Sequence, residues 1–187
     1  MKEPCTKGQT FRSFVNALRK LEGEAAVTAT LARVPDEVRD ALEATGKIVS
    51  GGWYPIRWLT ELHKAAALAT GKGLALSRAI GREATAADYR GIYRFFAVIL
   101  SPQGILSRAP RAFSLTWDEG EAKVLETAPK FIRVEFAGCR GFNPWLWENL
   151  IGASTALLEL GGAKRVQARN AGGGGDSPQM IFEASWD

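Results

Sequence analysis

The sequence predicts an α+β fold in a single domain of 187 residues, with a helical part over about 9–117 and a sheet part over about 118–187. Two observations predict this fold: the period of the apolar residues and the order of the helices and strands. Apolar residues recur every three or four positions before Gly120 and every second position after it. Helices gathered first and strands gathered last are typical of α+β proteins, not of the alternating α/β class. The composition, 46% hydrophobic and 24% charged, is that of an ordinary globular domain.

Glycine and proline divide the first part into a series of predicted helices. The opening helix carries apolar residues at helical spacing from Phe11 to Leu21 and ends at Gly23. Near its end this part restarts at Ser101-Pro102, and Pro110 kinks or splits the helix that follows. Strand-like residues stand only at positions 48–49, before a glycine pair. The helices are predicted over about 9–22, 24–34, 35–45, 55–70, 74–82, 85–100 and 101–117.

The second part predicts a ββαββ antiparallel four-stranded sheet packed on the helices. Each predicted strand has one apolar face, which fits a sheet that is covered on one side. The helix between the strand pairs starts at Asn143-Pro144, ends at Gly161 and is apolar nearly all round, so it is expected to be buried on more than one side. The glycine-rich stretch 170–177 is predicted to be a hairpin loop. The strands are predicted over about 122–124, 132–136, 163–171 and 179–186.

The net charge of +4 does not indicate a nucleic-acid-binding surface. The first twenty residues contain five lysines and arginines against Glu3, which accounts for the whole excess. From Leu21 onward, 19 basic residues face 19 acidic ones. A nucleic-acid-binding domain concentrates cations on one face, so we predict a solvated basic arm on a neutral body.

Membrane, secretory and metal-binding signals are weak throughout the chain. The best apolar run, 95–100, is far shorter than the roughly 18 residues that a membrane-spanning helix needs. The N-terminus lacks the apolar segment of a secretory signal, so a cytoplasmic location is predicted. The chain has two cysteines, Cys5 and Cys139, and one histidine, His63, which cannot form a four-ligand zinc site. We therefore predict free thiols, no metal and no cofactor.

Three features could suggest catalysis, and each has a structural alternative that we favour. His63 could act as an acid or base only beside a hydrogen-bonding partner, and the alternative is a partly buried histidine at a helix surface. Cys139 precedes Arg140, which could lower its pKa, but a small buried residue at a strand end is the favoured interpretation. Gly172–Gly175 lacks the Gly-Lys-Ser/Thr and the following helix of a phosphate-binding loop, so a hairpin tip is favoured. The chain is predicted not to be an enzyme.

Aromatic residues are dense for a domain of this size. Such residues are usually core, but ligand pockets are also lined by aromatic and apolar side chains. In the sheet-packed helix, the small residues Gly152 to Ser154 either admit a neighbouring helix or leave room for a ligand, and close packing is favoured. Any ligand is expected between this helix and the aromatic helices before it. The candidate pocket residues are Tyr54, Trp58, Tyr93, Phe96, Phe113, Trp117, Trp147, Gly152 and Ser154.

Three segments, WYPIRWL, ILSPQGILSRAPRAF and the closing FEASW, stand in an order that resembles an uncharacterised myxobacterial family. The whole pattern is also distantly similar to the superfamily of heme–nitric-oxide-binding domains, four-vinyl-reductase ligand-binding domains and TRAPP-type trafficking subunits. The resemblance extends from about Gly8 to Trp186. It implies a ligand-binding or scaffold domain, often dimeric, with a pocket between the helices and the sheet.

The chain departs from the heme-binding members of that superfamily. Those members use a helical histidine just before the sheet and a Tyr-x-Ser-x-Arg motif, whereas 85–117 contains no histidine here and no tyrosine stands in such a string. We therefore predict a non-catalytic module, sensory or ligand-binding, that binds a small apolar ligand without heme and forms a homodimer through its N-terminal helices. The alternative is a protein-interaction scaffold with a filled core and no ligand.

Overall fold

The computed structural model describes residues 2–43, 48–90 and 102–187, and it has the predicted α+β architecture. The helical part consists of β1 Cys5–Lys7, α1 Gly8–Glu22, α2 Glu24–Leu31, α3 Asp36–Glu43, β2 Trp53–Pro55, α4 Ile56–Thr70, α5 Gly73–Arg90, α6 Pro102–Leu106 and α7 Ala109–Thr116. The sheet part consists of β3 Glu121–Ala128, β4 Phe131–Ala137, α8 Pro144–Leu160, β5 Gln167–Gly173 and β6 Met180–Ser185.

The four strands of the sheet part form one antiparallel sheet in the order β3-β4-β6-β5. Side chains alternate between its two faces, because successive residues of a strand point in opposite directions. The two central strands bury one set of side chains completely. The alternate side chains, such as Arg133, point to the other face. The predicted one-sided sheet is confirmed. The buried set is Ile132, Val134, Phe136, Met180, Phe182 and Ala184.

Helix α8 begins where its sequence predicts. The Asn143 side-chain oxygen accepts hydrogen bonds from the N–H groups of Trp145 and Leu146 at 3.1 and 3.3 Å, and Pro144 occupies the first helical position. These are the two local signals of a helix start. The helix packs on α5 and also contacts β5 and β6, which explains why it is apolar nearly all round.

Two glycines allow α5 and α8 to cross at very short distance. A Cβ atom added to Gly81 would lie 2.0 Å from the Asn149 carbonyl oxygen, and one added to Gly152 would lie 2.0 Å from the Arg78 carbonyl oxygen. Real Cβ atoms do not approach backbone that closely, so neither helix tolerates a side chain there. Gly152 therefore contributes to a helix crossing, the first of the two alternatives considered for it.

The helical part differs from the prediction in its boundaries. The helices predicted over 74–82 and from Thr85 onward are one continuous helix, α5, since the residues around Gly81 pack against α8 instead of breaking the chain. The helix predicted over 24–34 ends at Leu31. No strand forms at 48–49; the strand is β2, five residues later. Pro110 does split its helix, because α7 begins at Ala109 with that proline in its first turn.

The third strand of the sheet also starts later than predicted. Gly162 and Arg165 both have positive φ, so the chain is still turning where the strand was expected to begin. The strand β5 then runs from Gln167 to Gly173 and includes the first residues of the predicted hairpin loop.

The N-terminal arm is not the solvated terminus that its charge suggested. The strand β1 pairs antiparallel with β2, and Thr6 is completely buried. The Thr6 hydroxyl donates to the Thr116 carbonyl oxygen at 3.0 Å, and the Cys5 N–H donates to the Asp118 carboxylate at 2.6 Å. The arm thus ties the helical part to the start of the sheet part. A three-residue strand is too short for periodicity to reveal.

Candidate functional site

A cleft of about 550 Å³ lies between α1, α4, α5, α7, α8 and the inner face of β4. Its volume falls within the roughly 300–1,000 Å³ of small-molecule sites. Most of its wall is hydrocarbon. The large apolar residues that line it are Phe14, Leu59, Ile80, Phe113, Leu115, Trp117, Phe136, Leu150 and Leu157.

Helical periodicity brings the lining residues to one side of each helix. Residues three or four positions apart share a helix face, so Ser13 follows Gln9 on α1 and Asp88 follows Ala84 on α5. On α8 the same spacing runs from Asn149 through 153 to 157. Each helix therefore contributes a stripe two or three turns long to the cleft.

The deep end of the cleft is aromatic. The Phe113 ring lies 5.4 Å from the Phe136 ring and 6.2 Å from the Trp117 ring, measured between centroids. Behind them, Phe142 approaches Trp117 at 4.8 Å and Trp147 at 4.5 Å. Ring pairs at these distances are mutually stabilising, so the wall is expected to be rigid.

The polar edge of the cleft is centred on Asp88. Its carboxylate accepts hydrogen bonds from the Ser13 hydroxyl at 2.7 and 2.9 Å and from the Gln9 amide at 3.2 Å. The only other charged lining residue among those described is Lys7. Its ammonium group donates to the Gly51 carbonyl oxygen at 2.8 Å and lies 3.9 Å from the centroid of the Trp53 ring.

Ser154 places a hydroxyl in the wall of the cleft. The residue is only 5% exposed, and no hydrogen bond joins its hydroxyl to another residue of the described part of the chain. Buried polar groups in proteins nearly always have a partner. A water molecule or a polar atom of a ligand would complete this site.

The candidate pocket residues divide into four groups. Phe113, Trp117 and Ser154 line the cleft, whereas Trp147 and Gly152 lie behind its wall. Tyr93 and Phe96 lie outside the described residues. Tyr54 and Trp58 are not lining residues.

Tyr54 and Trp58 belong instead to the packing of α1 against α4. Their rings stack on each other at 6.2 Å, and both meet the buried Phe11 ring edge-on, at 6.0 and 6.5 Å. Their aromatic character marked them as pocket residues, but it serves the helical core. The polar lining residues that sequence reasoning missed include Gln9, Ser13 and Asp88. The available signal was Ser13, a polar residue on the buried face of the amphipathic α1.

His63 is a core residue and not the half-buried surface histidine that was expected. It is 1% exposed, and its ring meets the Phe14 ring edge-on at 4.7 Å. Neither ring nitrogen has a hydrogen-bond partner in the described part of the chain. Burial lowers its pKa to about 3, so the ring is neutral near pH 7. It has no nucleophile within hydrogen-bond reach there.

Cys139 and the glycine run offer no catalytic chemistry. Burial raises the pKa of the Cys139 thiol to about 12, so the thiol stays protonated near neutral pH. Arg140 pairs with Glu119. The glycine run Gly172–Gly175 ends β5 and enters the turn to β6, so no helix follows it.

The described residues contain neither a metal-binding cluster nor a helix that could cross a membrane. Within them, no group of three histidine, cysteine, aspartate or glutamate side chains is arranged to hold a metal ion. No described helix is both long and apolar enough to span a bilayer.

The fold is that of H-NOX domains, the heme–nitric-oxide-binding class. An oxygen-binding H-NOX domain related to soluble guanylate cyclases superposes with a TM-score of 0.72 over 97% of this chain and 95% of that one, at 13% identity. The unliganded Fe(II) H-NOX protein from K. algicida superposes with a TM-score of 0.69 over 97% and 96%, at 11% identity. No protein-family model and no curated protein matches the sequence. The similarity therefore establishes a shared fold.

The described lining of the cleft offers no histidine, cysteine or methionine to a heme iron. Heme iron is held by histidine, cysteine or methionine in most heme proteins, and by tyrosine in catalase. Among the described lining residues, Tyr89 is the one residue of these four types. His63 is the single histidine of the sequence, and its ring is packed in the helical core.

Proposed function

We propose that the chain is a non-catalytic sensory module that binds a small apolar ligand, without heme, in the cleft between its helices and its sheet. The observation that carries this proposal is the cleft itself, with aromatic and aliphatic walls and few polar groups. The shared fold supports it, because an oxygen-binding domain has the same architecture. A location in the cytoplasm, with both cysteines free, belongs to the same proposal.

The walls can supply the affinity that such a ligand needs. Burial of apolar surface contributes about 25 cal/mol per Å², so a ligand that buries roughly 200 Å² gains about 5 kcal/mol before the costs of association. The unpartnered Ser154 hydroxyl could orient one polar atom of the ligand.

Two observations support a non-catalytic role. The buried His63 ring lacks a hydrogen-bonding partner among the described residues, and the Cys139 thiol has a raised pKa. Nucleophilic catalysis requires a nucleophile within hydrogen-bond reach of a base.

The test is a binding titration with a cleft-filling variant. Ala153 lines the cleft, so Ala153→Phe should abolish binding of 1-octanol while circular dichroism shows an intact fold. Ala87→Phe, at an exposed position of α5 outside the cleft, is the matched control and should bind normally. The absorbance spectrum of the purified protein should lack a heme band. Equal octanol binding by Ala153→Phe, or a heme band, would contradict the proposal.

A second candidate is a protein-interaction scaffold with a filled core and no ligand, which, like the sensory module, would dimerise through the N-terminal helices. Three leucines at neighbouring helix ends favour it: Leu21, Leu68 and Leu74 are 38%, 77% and 40% exposed. An ion pair of 2.7 Å between Lys72 and Glu22 joins these helix ends.

Sedimentation measurements test the homodimer, which is expected of both candidates, and the octanol titration separates the two. Leu68→Glu should convert a dimer to a monomer, whereas Leu125→Glu, at an exposed position on the sheet, should leave the dimer intact. A stable interface buries at least about 1,000 Å². A wild-type monomer at high concentration would exclude the dimer.

A further inference from the structure

Both charged residues in the described lining of the cleft have neutral partners. The Lys7 ammonium group is directed to the Gly51 carbonyl oxygen and lies over the Trp53 ring. Asp88 has only neutral donors, Gln9 and Ser13. Within the described residues, no lysine or arginine nitrogen lies within 4.0 Å of its carboxylate, which leaves that negative charge available to a ligand.

The Asp88 carboxylate is oriented by α1, although Asp88 itself is exposed. The single hydroxyl proton of Ser13, a residue that is 6% exposed, is shared between its two oxygens. Arg12, the nearest cation along α1, is directed to the Ser50 hydroxyl at 3.5 Å. A carboxylate positioned by a buried hydroxyl is preorganised, so a ligand does not have to order it.

A second observation, independent of charge, favours a ligand atom in this cleft. The residue Ser154 is 5% exposed and lines the cleft, and its hydroxyl has no protein partner in the described part of the chain. The cleft thus combines an unpartnered hydroxyl on α8, an oriented carboxylate on α5, and the aromatic wall of Phe113 and Trp117. Aromatic faces attract cations as well as hydrocarbon.

We propose that the cleft selects cationic apolar ligands: amines whose ammonium group donates to Asp88 while the hydrocarbon part lies against Phe113 and Trp117. This inference rests on the proposed ligand-binding function and specifies its ligand class. Carboxylate ligands of equal length are disfavoured, because they would bring a second negative charge to Asp88.

The experiment compares three probes that share one alkyl chain: octylamine, 1-octanol and octanoate, titrated calorimetrically into the full chain at neutral pH. Octylamine should bind about fivefold more tightly than octanol, and octanoate more weakly than octanol, as expected for one partly exposed ion pair. The preference for octylamine should shrink at high salt.

Two variants test whether Asp88 causes the preference for octylamine. Asp88→Asn keeps the shape of the side chain and should remove the preference for octylamine, lowering its affinity about fivefold to the level of octanol. Asp40→Asn, at an exposed position of α3 outside the cleft, is the control and should change nothing.

The possible failures are distinguishable. Octanol binding without a preference for octylamine over octanoate, or an Asp88→Asn variant that keeps the preference, overturns the inference and leaves the proposed function intact. Failure of all three probes to bind overturns both.

Discussion

Acidic pH should lower the free energy of unfolding through one side chain, His63. The ring is buried without a partner in the described part of the chain, and its pKa is lowered to about 3 from an ordinary value of 6.5. Between these values the unfolded chain binds a proton that the folded chain does not. Stability is therefore complete above about pH 6.5 and falls as the pH decreases towards 3.

The size of the effect follows from the two pKa values. They differ by about 3.5, and each pH unit corresponds to about 1.4 kcal/mol, so full titration would cost about 5 kcal/mol. Lowering the pH from 6.5 to 4.5 would cost about 2 kcal/mol, a large fraction of the stability of a typical domain.

The assay is urea unfolding followed by circular dichroism at pH 7.0, 5.5 and 4.5, on the wild type and on His63→Leu. Carboxylates titrate in both proteins, so the difference between them isolates the histidine. His63→Leu should lose less stability than the wild type as the pH falls. It should also be stabilised at pH 7, because two unsatisfied nitrogens are removed at about 1–3 kcal/mol each.

Lys64→Leu, on the exposed side of the same helix, controls for the added leucine. Parallel pH profiles for the wild type and His63→Leu would refute the reasoning. They would mean that the ring is solvated or hydrogen-bonded in the folded protein.

Two further predictions concern packing. Gly81→Ala and Gly152→Ala should each lower the free energy of unfolding by about 1–3 kcal/mol, because each new methyl group would meet backbone of the facing helix. Gly51→Ala, where an added Cβ meets open space, should be nearly neutral in the same urea titration, and equal effects at all three sites would contradict the crossing. In the folded protein a thiol reagent should modify the partly exposed Cys5 slowly, because burial and the nearby Asp118 raise its pKa, and the buried Cys139 only after unfolding, as mass spectrometry would show. Equal rates for the two thiols would mean that the second is accessible.

Features set by local chemistry were predictable from the sequence. The start of α8 depends on Asn143 and Pro144 alone, and both signals stand next to each other in the chain. The sheet faces follow from alternation within each strand, as in β6. The strand β1 was not predictable, because three residues carry no period and its partner β2 is some fifty residues away.

The sequence predicted part of the wall of the cleft, but it did not predict the polar edge. Phe113, Trp117 and Ser154 were candidates because of their residue types and their helices, and the structure brings them to one cavity. The hydrogen bond between Ser13 and Asp88 joins positions 75 residues apart, so no local sequence pattern predicts it. Aromatic residue type alone could not separate wall from core, as Tyr54 shows.

The central claim is that the cleft binds a small apolar ligand, and a crystal structure of the chain grown with 1-octanol tests it most directly. The account predicts alkyl-chain density against Phe113 and Trp117, with the ligand oxygen within hydrogen-bond distance of the Ser154 hydroxyl. A cleft filled by side chains of the protein itself, or density found only elsewhere, would contradict it.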